Sequence, residues 1–297
     1  MKKMRIPLLV VLGVGIIGII FGSFFDLQIS SAIANAHSGL GITLSAIGET
    51  LGFAAVALMG GGLVAFGLKK DHQIAYRVLF FVLAAACLIV SILYTKGAWF
   101  GVNGFSWVGV NENVGYAIVI VPELAAMVGG YFLFRNVSNK NMWIVWCCVV
   151  IMLTLALVGV ISTVKDIMRR PRFRIIEEYG VEFHNWWQPC KNYLQIMSEK
   201  GILSSDHFKS YPSGHSAEIS MLIVAATFFP LADKKFEKYQ MPAFYIACGC
   251  AAVVMFARIL AAAHFLSDVS WGMSIMIFLS FVLNEILIRV KAVHLKE

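Results

Sequence analysis

The chain has 297 residues, of which 59% are hydrophobic and only 14% charged, with a formal net charge of +7. That balance excludes an ordinary soluble domain, in which about a quarter of the residues are charged, and leaves an integral membrane protein. The apolar residues fall in blocks of roughly 17–25, the length a helix needs to cross about 30 Å of hydrocarbon, whereas β-barrel strands would alternate and be half as long.

The first block, "MKKMRIPLLVVLGVGIIGIIFGSFF", has a long apolar core and no clean small-x-small cleavage site, so it is read as a retained first helix rather than a signal peptide. Candidate spans follow in chain order at about 6–25, 45–67, 77–94, 115–134, 142–163, 215–231, 242–262 and 269–288. The expected fold is an all-α polytopic bundle of about eight transmembrane helices, a single integral membrane domain over 1–297. With eight spans, the basic stretches "MKKMR", "KKDHQIAYR", "RNVSNK", "DKKFEK" and "RVKAVHLKE" all fall on one face, which the positive-inside trend assigns to the cytoplasm together with both termini. The opposite loops fit, since 26–44 has no lysine or arginine and 95–114 has only Lys96. One loop does not: "KDIMRRPRFR" at 165–174 puts five cations on the outer face, where topology gives them no purpose.

Cys87, Cys147, Cys148, Cys248 and Cys250 lie inside apolar blocks and only Cys190 lies in a polar loop. No paired framework is visible, and the six are read as packing residues.

Polar residues near the outer surface in the last half of the chain form three clusters: Lys165, Arg170 and Arg172; Ser213, Gly214 and His215; and Arg258, His264 and Asp268. The first follows the end of one span, the second opens the next and the third bridges the last two, so all three can meet at one membrane depth. Cations from several positions and a Ser-Gly turn leading into a helix N-terminus are what a phosphate site requires, because guanidinium groups and free helix amides complement phosphate oxygens. Two histidines add chemistry: one neutral imidazole attacks phosphorus while a carboxylate holds its other nitrogen, and the second protonates the departing oxygen. His264 and Asp268, four apart, read as the nucleophile and its orienter.

These motifs resemble those of the type 2 phosphatidic acid phosphatases, or lipid phosphate phosphatases, which share a site with vanadium haloperoxidases and glucose-6-phosphatase. The family pattern is K-x-x-x-x-x-x-R-P, then P-S-G-H, then S-R-x-x-x-x-x-H-x-x-x-D. "KDIMRRPRF" supplies Lys165 and Arg172, "PSGH" at 212–215 matches completely, and "ARILAAAHFLSD" supplies Arg258, His264 and Asp268. Phe173 stands in place of the proline and Ala257 in place of the serine; neither change removes a charge or a proton-transfer group. The resemblance covers about 160–275. It implies a phosphohistidine at His264, oriented by Asp268, with His215 as general acid. Lys165, Arg172, Arg258, Ser213 and the Gly214 backbone would hold phosphate, with no metal and no cofactor. It also implies a six-span core, to which a hairpin before the first motif adds two spans. The expected substrate is a phosphomonoester or diphosphate of a lipid, met at the extracytoplasmic face among membrane lipids, with no nucleic-acid partner.

Other residues carry weaker readings. Arg170 is a possible substrate contact, while Arg169 and Arg174 read as headgroup contacts. The Trp186-Trp187 pair suggests an interfacial anchor or a lid over a lipid chain. Glu123, after Pro122, is an ionisable group at membrane depth that serves function or bonds a neighbouring helix. Glu218 either tunes His215 or favours the helix start. Three rival functions compete. A zinc site would use His215, Glu218, His264 and Asp268, but H-E-x-x-H is absent and the adjacent cations repel a divalent ion. An anionic-lipid transporter or binding protein would need the arginines but not a carboxylate-held histidine. A phosphotransferase would share the phosphohistidine and differ only in acceptor.

Overall fold

The computed structural model describes residues 1–69, 73–100 and 112–289. The C-terminal basic stretch after Arg289, part of the 69–77 loop and most of the 95–114 loop, all used to assign orientation, lie outside the described residues. Among the described residues there is no strand, and eight helical stretches are long and apolar enough to cross a membrane: Lys2–Ile33, Gly39–Gly67, Ile74–Phe100, Asn113–Phe134, Trp143–Tyr179 (interrupted at 169–172), Gly214–Leu231, Lys234–Leu260 and Leu266–Arg289. The chain is an all-α multi-pass membrane bundle.

The helices run longer than their apolar blocks for a physical reason visible in the first. Helix α1 (Arg5–Ile33) does not stop at Phe25, because Asp26 and Ser30 are buried rather than set at a membrane surface. Helix α2 (Gly39–Gly67) is the central element, with 78% of its apolar window buried. Small residues permit this, as backbones approach closely where no side chain intervenes. A Cβ added to Gly61 would fall 1.9 Å from the Met127 carbonyl oxygen of α4 (Glu112–Phe134), and one on Gly130 of α4 would fall 1.9 Å from that of Leu58. Helix α3 (Ile74–Phe100) packs on the same pair. There the Thr95 hydroxyl donates to Glu123 Oε1 at 2.7 Å, so Glu123 bonds a neighbouring helix.

The fifth span begins as α5 (Asn139–Met152), widens to π geometry over Leu153–Ser162 and closes with α6 (Thr163–Met168). Arg169 then adopts a left-handed conformation, φ 47°, which ends α6 and turns the chain inward toward Arg170. Short helices α7 (Phe173–Tyr179) and α8 (Tyr193–Lys200) occupy the following loop. That loop has its own small core of Ile175, Val181, Cys190, Ile202 and Phe208. All six cysteines are unpaired, and Cys190, despite its polar neighbours in sequence, is buried.

Helices α9 (Gly214–Ile219) and α10 (Met221–Phe228) form the sixth span, followed by α11 (Gln240–Leu260) and α12 (Leu266–Arg289). Helices α1 and α12 run antiparallel: Arg5 pairs with Glu285 at 2.6 Å at one end, and Asp26 accepts from the Ser267 amide at 2.9 Å at the other. The start of α1 and the end of α12 therefore share one end of the bundle, and the three motif clusters occupy the opposite end.

Candidate active site

The third motif folds back on itself. Helix α11 ends at Leu260, Ala262 takes a left-handed φ of 53°, and the amides of Ala263 and His264 both donate to the Arg258 carbonyl, at 3.1 and 3.2 Å. This return brings His264 beside Arg258 and starts α12 at Leu266. Asp268 lies in the first turn of α12, where its Oδ2 accepts from the Phe265 amide at 3.0 Å and from the Ser210 hydroxyl at 2.5 Å. The second motif sits on the same helix: the Ser213 amide donates to the Asp268 carbonyl at 3.0 Å. Gly272 makes room, since a Cβ there would lie 2.1 Å from the Ser213 carbonyl oxygen.

His264 is buried, with Nδ1 2.6 Å from the Ser210 carbonyl oxygen. A carbonyl only accepts, so Nδ1 carries the hydrogen and Nε2 carries the lone pair. Nε2 is buried without a hydrogen-bond partner among the described residues. Burial, followed by the charges of Arg172, Arg258 and Lys165, holds this imidazole well below its usual range, which keeps it neutral. The Asp268 carboxylate, expected as the direct partner of Nδ1, is 3.9 Å away. It acts on the imidazole through Ser210, whose hydroxyl it accepts from and whose carbonyl holds the ring.

His215 is the second residue of α9, whose N-cap is Ser213. Its Nε2 lies 2.6 Å from Glu49 Oε2 on α2, and its Nδ1 lies 3.9 Å from Glu218 Oε2. The two imidazole rings are 6.4 Å apart between centroids. Arg258 is buried with Nε and Nη2 unpartnered. Arg172 is held from behind by Asp206, through Nε to its carbonyl at 2.9 Å and Nη2 to its carboxylate at 2.9 Å. Lys165 reaches the Ser-Gly turn: a Cβ on Gly214 would lie 3.4 Å from Lys165 Nζ, so glycine leaves that side of the turn open to the ammonium.

Arg170, read from the sequence as a possible substrate contact, is engaged within the protein. It is fully buried and all three of its nitrogens are engaged: Nε donates to the His184 carbonyl at 2.8 Å, Nη1 to Ser267 Oγ at 2.9 Å and Asp268 Oδ1 at 2.5 Å, and Nη2 to Asp26 Oδ2 at 2.9 Å. It is a strut between two carboxylates, and the Ser267 hydroxyl bonds Asp26 as well. Trp186 likewise is no simple surface anchor, because its indole N–H donates to Ser23 Oγ at 2.9 Å and its ring meets Trp187, Tyr211 and Trp271. Arg169 stays at the edge, paired with Asp166 at 2.7 Å.

The family model described as the PAP2 superfamily matches residues 125–290, more than half of the chain. The chain belongs to the PAP2 superfamily. No match was found among curated proteins or among solved structures. PAP2 membership implies phosphatase activity on phosphate esters. The match begins within α4, so α1, α2 and α3 lie before it, yet α1 and α2 send Asp26 and Glu49 into this PAP2 site. The two departures from the motif are accommodated. Phe173 is the first residue of α7, a position that favours proline without requiring it, and its ring packs edge-on against Phe265 at 6.2 Å. Ala257 is fully buried near Gly41 of α2.

Asp26, Glu49, Asp206 and Ser210 lie outside the three motifs. Asp26 and Glu49 carried a usable signal, a carboxylate in or beside an apolar block. The zinc set of His215, Glu218, His264 and Asp268 does not form, because both Asp268 oxygens already accept from Arg170, Ser210 and Phe265. The carboxylates that do converge with His215 are Glu49 and Glu218, with ligand atoms within 4.8 Å of one another. Lys165 and Arg258 act on this group with positive charge, which disfavours a divalent cation there.

Proposed function

We propose that this PAP2 protein is a membrane lipid phosphate phosphatase working through a phosphohistidine on His264. The single observation that carries the reading is His264 itself: a buried neutral imidazole with Nδ1 pinned by the Ser210 carbonyl and a free lone pair on Nε2, beside Arg258 nitrogens that lack partners. Nε2 attacks phosphorus and the bond to the leaving oxygen breaks, while His215 gives that oxygen its proton. Water then attacks the P–N bond, passes a proton to His215 and frees inorganic phosphate along with the imidazole. Arg258, Arg172, Lys165, Ser213 and the Gly214 amide stabilise the equatorial oxygens, where charge grows in the transition state. Cationic side chains fill the role of a metal ion in this scheme, and turnover proceeds without one.

A lipid substrate is supported by the position of the site at one end of an apolar bundle, level with the ends of four spans. The loop charges favour the extracytoplasmic face for that end and the cytoplasm for the termini. The test is phosphate release by purified protein from a panel of phosphatidic acid, phosphatidylglycerol phosphate, a polyprenyl diphosphate and a sphingoid phosphate, with and without chelator. Release from at least one, unaffected by chelator, is expected. Phosphate appearing on a second lipid instead of in solution would make the enzyme a transferase. Absence of any phosphoryl release or transfer would refute the reading.

A further inference from the structure

We infer that Glu49, on the second span, is a positioning residue that holds His215 and shares its proton; the inference rests on the reading of His215 as proton donor. An imidazole has two nitrogens, and the one facing the substrate delivers its proton best when the other is held by a group that takes up or supplies charge. For His264 that group is the Ser210 carbonyl backed by Asp268. For His215 it is Glu49, whose Oε2 lies 2.6 Å from Nε2. At 2.6 Å the two groups are within reach of one shared proton, although Oε2 lies off the axis of the ring N–H and completes that hydrogen bond only once the carboxylate turns toward it. Glu218 does not compete for this position, since it lies 3.9 Å from the other nitrogen, Nδ1, and its second oxygen sits beside the same face of Gly214 as Lys165.

The approach of α2 to α9 is built for this contact. Glu49 is only 5% exposed, deep in a helix that starts at Gly39, about 15 Å along at 1.5 Å per residue. Glycines on the adjoining turn remove the side chains that would keep the helices apart: a Cβ on Gly52 would lie 2.5 Å from the Glu218 carbonyl oxygen, and one on Gly48 would lie 2.1 Å from Val254 Cγ2 of α11. A carboxylate set at this depth is costly unless paired, and His215 is its partner. Glu49 also lies outside residues 125–290, so the spans before the family match complete the donor.

Protons balance over the cycle. The shared proton lies between Glu49 and Nε2 while Nδ1 carries the second. As the leaving oxygen departs from phosphorus it takes the Nδ1 proton, and the shared proton settles on Nε2, leaving a neutral imidazole and a carboxylate. When water cleaves the P–N bond it returns a proton to Nδ1, and the shared position refills. The ionisable groups facing the pair are Glu218 on α9, Lys165 on α6, Arg258 on α11, Arg172 before α7, His264 before α12 and Tyr94 on α3.

The test is kinetic, in detergent, with phosphatidic acid as the ester with a poor leaving group and p-nitrophenyl phosphate as the one whose oxygen departs with little help. Glu49→Gln should lower kcat on phosphatidic acid by roughly 10²-fold, with KM little changed, and lower kcat on the aryl ester by no more than about 5-fold. Glu49→Asp, which keeps a carboxylate but draws it back, should fall between wild type and Glu49→Gln and show the same ordering of substrates. It carries the test if Glu49→Gln does not elute as a folded species. A purely structural role predicts equal losses on both substrates, and either equal losses or none would overturn the inference. The outcomes separate from those of the parent reading. A wild type that cleaves neither substrate refutes the phosphatase. His215→Ala without leaving-group discrimination refutes His215 as donor. Discrimination in His215→Ala but not in Glu49→Gln refutes Glu49 alone.

Discussion

Arg170→Ala is predicted to damage stability and turnover together while leaving substrate affinity nearly intact. Arg170 is fully buried and bridges Asp26 and Asp268, themselves 1% and 0% exposed. Removing one partner of a buried ion pair costs about 3–5 kcal/mol, because the other charge stays behind uncompensated. Here one guanidinium serves two carboxylates, which places the loss at the upper end of that range. The corresponding fall in Tm is on the order of 10 °C. The chemistry suffers through Asp268: without Arg170 its Oδ1 loses a 2.5 Å contact, and the chain from Asp268 through Ser210 to His264 loosens. The assay pairs thermal unfolding in detergent with steady-state kinetics. Arg170→Lys should recover only part of the loss, since an ammonium cannot reach both carboxylates in fork geometry. Asp26→Asn should cost less in the Arg170→Ala background than in wild type, by a coupling of about 1–3 kcal/mol. A variant that keeps its Tm and raises KM would refute the strut and restore Arg170 as a substrate contact.

Two further predictions concern packing and pH. Gly52→Val should cost about 1–3 kcal/mol and lower kcat, because a side chain 2.5 Å from the Glu218 carbonyl pushes α2 away from α9 and carries Glu49 off His215; Gly13→Ala, with nothing within 4 Å of the new Cβ, should leave both unchanged. His264 and His207 both lie below their ordinary 6.5, each chiefly through burial, so as pH falls through that value the unfolded chain binds protons that the folded one does not, and stability drops. Tm should therefore fall between about pH 7.5 and 5.5, and His264→Asn should flatten the profile; a Tm that rises on acidification would contradict the sign.

The spans were legible because burial in lipid selects for apolar side chains over a fixed length, and the convergence of three clusters was legible because their positions at span ends restrict them to one depth. Asp26 shows what local reading misses. In the sequence it follows an apolar block and opens the 26–44 loop, yet it is buried through partners 144 and 241 residues away. Glu49, inside the second apolar block, is as conspicuous an ionisable group at membrane depth as Glu123, but no spacing within α2 points to a histidine 166 residues later. Arg170 sat in a basic run whose members look alike in sequence. Their fates diverge only because the left-handed turn at Arg169 swings Arg170 inward and leaves Arg169 at the rim. Ser210, three residues before Ser213, took its role from its carbonyl, a group every residue has and no motif can mark.

The central claim is tested most directly by trapping the covalent intermediate. Brief reaction with a radiolabelled lipid phosphate or aryl phosphate, quenched in alkali because phosphohistidine is acid-labile, should leave label on His264. The label should be on Nε2, since Nδ1–H is committed to the Ser210 carbonyl at 2.6 Å. Wild type should show this adduct, and His264→Ala should show neither adduct nor turnover while still eluting as a folded protein. Label on Nδ1, label on another residue, or turnover persisting in His264→Ala would contradict the account.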